Sequence, residues 1–200
     1  MGVRHYLRNE RRTMTAIGLA VRGRKALAPD AVAVPYSRAQ RPLLVVFAVL
    51  TVVEGLLFAL VGFGVTVHVV LGVVEVYSLA LLLGLLSSVT VYPHSVSPLE
   101  VRVRYAALLD VAVPAAAISA VRVRQEDHSG RPVIDLADGT FAAALSWQTN
   151  VALELDRPIT VTRPLGRTGR ASVVRFYADG PRAATAAIRS AVARPRDRPV

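Results

Sequence analysis

The sequence predicts an α+β chain: a helical hairpin that crosses a bilayer twice, then an antiparallel β-roll closed by a C-terminal helix. Three observations carry that reading. Leu43 to Leu86 is an almost unbroken apolar run of 44 residues with no Lys or Arg. After residue 88 the apolar positions recur at every second residue, the period of half-buried strands. From Asp179-Gly180-Pro181 onward the pattern turns helical, with proline suited to a first turn. The expected boundaries are a basic, disordered N-terminal arm (1–41), the transmembrane hairpin (42–88), the β domain (89–193) and a basic tail (194–200).

The arm holds one weak apolar segment, Thr15 to Val21, followed by Arg22-Gly23-Arg24. A signal peptide needs a longer apolar core and a small-residue cleavage site, so none is expected. Tyr36, Arg38 and Arg41 suit the inner interface as an aromatic and cationic anchor.

As one helix the apolar run would be roughly 66 Å long, about twice the hydrocarbon thickness of a bilayer, so it must fold back. The turn chemistry sits at Gly62 to His68, giving spans near 42–62 and 69–88. The first span carries roughly fourteen Leu, Val and Phe, worth ~4 to 8 kcal/mol of insertion against ~2.5 to 3.5 kcal/mol lost for one carboxylate. Insertion wins even with Glu54 ionised. Nine of the Lys and Arg residues precede the hairpin, fifteen follow it and none lies in its turn, so both termini are expected in the cytoplasm.

Within the hairpin, Glu54 and Glu75 fall at one depth if the turn centres between Gly64 and Val65, and Thr51 and Ser78 match likewise. Thr51 with Glu54, and Glu75 with Ser78, form a polar stripe on each helix. If the stripes meet, the carboxyls share a hydrogen bond that clasps the hairpin or a homo-oligomer. The competing role is a proton or cation relay, since intramembrane acids are candidate functional sites.

The β domain reads as strands at 99–105, 110–114 and 119–124. A hairpin at 133–137 and 140–145 follows, turning on Asp138-Gly139, with further strands at 150–155, 159–162 and 172–177. Arg157-Pro158 and Leu165 to Arg170 are expected turns, and a helix covers 182–192. The repeated Val-Arg-Val-Arg would place Arg102, Arg104, Arg122 and Arg124 on neighbouring strands as a basic ladder. Such a ladder would be an interaction face for anionic lipid or an acidic partner, or a solvated face that discourages edge pairing.

The order of the hairpin, SPLEVRVRYAALLDVAVPAAAISAVRVR, QTNVALELDRPITVTRPLGR and a closing helix resembles actinobacterial two-helix membrane proteins with a bacterial pleckstrin-homology-like domain. The resemblance covers about residues 35–192. It implies a pleckstrin-homology-like roll and a membrane anchor, and brings no catalytic residues. Lipid-binding pleckstrin domains carry basic residues in the loop joining the first two strands. Here that loop is Ala106 to Asp110, without Lys or Arg, which speaks against headgroup recognition there.

No catalytic signature is present. Walker, dinucleotide and nucleophile-elbow motifs are missing, and Asp127, His128 and Ser129 merely adjoin in sequence. His5, His68, His94 and His128 lack metal-ligand spacing and are expected at surfaces or interfaces; Trp147 is expected on a turn packed against the roll. With no cysteine, disulfides and thiolate sites are excluded. The expectation is a non-catalytic interaction module of the bacterial inner membrane, multi-pass, needing no cofactor or metal. Its partners are the bilayer and either another protein or a second copy; nucleic acid is not expected, and no small-molecule substrate is identified. The alternative is an accessory subunit of a transport or proton-conducting assembly, using the intramembrane glutamates.

Overall fold

The computed structural model describes residues 15–193. The basic tail and the first fourteen residues of the arm lie outside them. The fold is α+β, with two long apolar helices, two sheets and a C-terminal helix.

Helix α1 (Arg41–Leu60) and helix α2 (Val65–Val91) form the hairpin, joined by Val61 to Gly64. Two glycines suit that tight connection, and the ring of Phe63 meets that of His68 edge-on at 5.9 Å. Both helices are long and apolar enough to cross a membrane, and only 6 % of each one's most apolar window is buried within the chain. At 20 residues, α1 is about 30 Å long, one hydrocarbon thickness. With 27 residues, α2 is about 10 Å longer. The excess has a purpose: Ser88, Val89 and Val91, at its C-terminal end, are buried against the β domain.

Part of the stretch expected to be a disordered arm is built into the fold. Residues 15–21 are helical and Ala16 is fully buried with Val91, Tyr92 and Ala107. Strand β1 (Val32–Val34) pairs with β2 (His94–Val96); neither is among the strands expected from the sequence. Three residues cannot announce themselves by periodicity, and here pairing supplies what propensity does not.

The first sheet runs β1-β2-β3-β4, with β3 (Glu100–Tyr105) and β4 (Leu109–Pro114) as an antiparallel hairpin. The second runs β5-β8-β9-β7-β6, from β5 (Ile118–Asp127), β6 (Ile134–Ala137), β7 (Thr140–Ala143), β8 (Gln148–Thr162) and β9 (Thr168–Phe176). The β6–β7 hairpin turns on Asp138 and Gly139, both at positive φ, which favours these residue types. All pairings are antiparallel except β7 with β9, which is parallel.

Arg157-Pro158 does not end a strand. β8 passes straight through it, and the ladder to β9 lapses between Glu154 and Ile159, where proline's missing N–H costs nothing. The core between the sheets comprises Val101, Val103 and Val113, Phe141, Val151 and Leu153, Val174 and Phe176. Helix α3 (Pro181–Ala193) closes it with Ala184 and Ile188, packing on β5, β8 and β2, and Arg189 donates to the Val121 carbonyl at 2.7 Å.

Candidate functional site

The most chemically organised region is the junction between the helical hairpin and the β domain. Only Tyr92 and Pro93 separate α2 from β2, so no flexible linker intervenes. Tyr36, Leu44, Val89, Ala106 and Leu145 form a separate buried cluster there, bordered by Leu82, Leu85 and Leu86 of α2. The β3–β4 turn is the docking element: Ala106, at φ 47°, donates its N–H to the Tyr36 hydroxyl at 2.6 Å. Tyr36 is therefore a buried keystone rather than the interfacial anchor expected of it. Burial holds its phenol well above the ordinary range.

His94 is equally buried, its ring 4.6 Å from that of Tyr36 and 4.8 Å from that of Phe176. Its Nδ1 accepts the Arg104 N–H at 2.9 Å, and its Nε2 lies 2.9 Å from the Tyr177 carbonyl. An acceptor role at Nδ1 assigns the proton to Nε2, so the ring is neutral. Desolvation pushes its pKa down from 6.5 to about 4. The ring thus ties β2 to β3 and to the end of β9, and its expected surface location is corrected. His128 is buried too, with Nε2 2.9 Å from the Thr149 hydroxyl.

Arg104 completes the junction. Its guanidinium donates to the Ala26 carbonyl at 2.7 Å and lies 3.5 Å from Asp110. One buried cation thereby fixes the N-terminal segment onto β3.

That placement removes the basic ladder. Arg102 and Arg104 stand on the first sheet, Arg122 and Arg124 on the second, so the two pairs are not neighbours. Each also has a carboxylate beside it. Arg102 pairs with Glu100 and Asp110, Arg122 with Glu154 at 2.8 Å, and Arg124 with Glu126 at 3.7 Å. Glu126 also pairs with Arg175. Alternation put the arginines on outward strand positions, but Arg104 is buried, and alternation carries no information about which sheet a strand joins.

In the hairpin, the Glu75 side chain lies against Gly55, 3.5 Å from where a Cβ would stand, at the level of Glu54. Thr51, Gly55 and Ser78 share the half-buried seam with it, whereas Glu54 is exposed. Adjacent residues of a helix point about 100° apart, so Gly55 facing α2 turns Glu54 outward. The structure therefore sets Glu75 against Gly55, leaves Thr51 and Ser78 half-buried, and turns Glu54 to the outer face.

Asp127, His128 and Ser129 make no triad. The Asp127 carboxylate accepts both the Ser129 hydroxyl and its N–H, which pulls the carboxyl below its usual range, while His128 points inward to Thr149. Trp147 occupies a two-residue turn with Ser146, both at positive φ, and is 54 % exposed rather than packed on the roll. Among the described residues no group of three acidic or histidine side chains is placed to hold a metal ion. Compared with known protein families, curated proteins and solved structures, the chain matches none.

Proposed function

We propose that this chain is a membrane-anchored, non-catalytic interaction module of the bacterial inner membrane, multi-pass with both termini in the cytoplasm. The observation that carries the reading is the linker-free junction through Tyr36, His94, Arg104 and Ala106. A domain fastened in this way cannot swivel, so whatever docks on it is held at one height and orientation relative to the bilayer. The charge asymmetry around an uncharged turn supports the cytoplasmic orientation. A pleckstrin-homology-like relationship is supported by the order of hairpin, two sheets and closing helix; the parallel β7–β9 pair stands outside that pattern.

Glu54 supports association within the membrane. A carboxyl facing hydrocarbon costs ~2.5 to 3.5 kcal/mol, which a polar group on another protein or a second copy offsets. The exposed Val123 of β5, between Arg122 and Arg124, is the corresponding feature of the cytoplasmic face. Photo-cross-linkers placed at 54 and at 123 in living cells test the proposal: a partner captured at 123 supports it. Capture of a channel or transporter subunit at 54, with nothing at 123, favours the accessory-subunit reading instead.

A further inference from the structure

Beside the junction lies an open groove of about 800 Å³, bounded by both helices and the β domain. Lys25, Arg38 and Arg41 line its polar end; Pro42, Val45, Val46 and Val89 line its apolar end. We propose that this groove binds one anionic phospholipid of the cytoplasmic leaflet. The phosphodiester headgroup would sit among Lys25, Arg38 and Arg41, and an acyl chain would lie along Val45 and Val46.

Two further observations favour this occupant. The first is charge. All four arginines of the expected ladder have carboxylates beside them, but among the described residues Lys25, Arg38 and Arg41 form no ion pair. The groove's own carboxylate, Asp179, is already engaged, accepting the Arg38 backbone N–H through both oxygens at 3.2 and 3.1 Å. Three cations against one occupied carboxylate leave a net positive mouth. The second is position. Arg41 begins α1, and Val45 and Val46, one turn further in, are 46 % and 52 % exposed. On the proposed topology, the groove therefore crosses from headgroup depth into hydrocarbon, matching the two halves of a phospholipid and neither half of a soluble anion. It also replaces the loop from Ala106 to Asp110, which is turned into the junction, as the site of lipid contact.

The inference rests on the membrane anchoring proposed above, and the test separates the two. Full-length protein is purified from mixed micelles containing phosphatidylglycerol and phosphatidylcholine, and the retained lipids are counted by native mass spectrometry. The wild type should keep phosphatidylglycerol in preference, and Lys25→Gln with Arg41→Gln should weaken retention about fivefold per cation removed. Arg122→Gln with Arg124→Gln, an equal charge change elsewhere, should leave it intact. Equal loss in both double variants, or no preference in the wild type, overturns the proposal. So does displacement of the retained lipid by inorganic phosphate alone, which would make the site one for free anions. If the double variant fails to fold, Lys25→Gln alone, at an exposed position, carries the test with a fivefold loss or none. Flotation with pure phosphatidylcholine vesicles checks the anchoring separately: a protein that floats but shows no headgroup preference in the mixed micelles sinks only this inference, and one that does not float sinks both.

Discussion

His94 gives the junction a measurable acid sensitivity. In the folded chain its pKa lies near 4; unfolded, it returns to the ordinary 6.5. Above pH 6.5 the ring is neutral in both states and contributes no slope. As the pH falls from there toward 4, the unfolded chain takes up a proton that the folded chain refuses, so stability drops. The gap of roughly two and a half units is worth about 3 kcal/mol, of which about 2 kcal/mol is lost above pH 5, clear of ordinary carboxylates. Urea unfolding in micelles, followed by the fluorescence of Trp147, the chain's single tryptophan, measures it. His94→Gln keeps an acceptor and a donor but does not titrate, so its stability should be flat between about pH 6.5 and 5 while the wild type declines. Equal slopes in the two proteins would refute a buried neutral His94.

Other expectations follow from the same contacts. Tyr36→Phe leaves the Ala106 N–H without its acceptor and should cost about 1 to 3 kcal/mol in the same assay, with the hairpin's helicity unchanged. Arg104→Ala strips a buried cation away from Asp110 and from the Ala26 carbonyl, and should cost about 3 to 5 kcal/mol. It should also release residues 15–26 to proteolysis. Glu54→Gln should change intermolecular cross-linking and leave the α1–α2 contact alone, while Glu75→Gln should do the reverse; a cysteine pair across the two helices one turn away from Gly55 and Glu75 reports the latter.

The hairpin was legible because forty-four uncharged or acidic residues in a row admit few other solutions, and its turn fell near the two glycines. The Asp138-Gly139 hairpin was legible for a local reason, since only a few residue types accept positive φ. Long-range pairing was not. Nothing local marks Val32–Val34 as a partner for β2, or joins β7 to β9 in parallel, because those ladders exist only once the sheets assemble. Period-two alternation placed the arginines on strands but not on sheets. Depth arithmetic put Glu54 and Glu75 level, yet depth says nothing of rotation, and one residue's rotation separates the seam from the outer face. The junction's keystones, Tyr36 and His94, carry no motif at all. The expected strand began only at 99, so nothing in the sequence showed that two residues alone part α2 from the first sheet.

The central claim is a hairpin that doubles back through the membrane with a fixed domain on the inner side. The chain has no cysteine, so single introduced ones report without background. Phe63→Cys should react with a membrane-impermeant maleimide in intact spheroplasts, whereas Arg24→Cys and Arg182→Cys should react only after permeabilisation. Labelling of all three from one side, or recovery of the protein in the soluble fraction, would contradict the account.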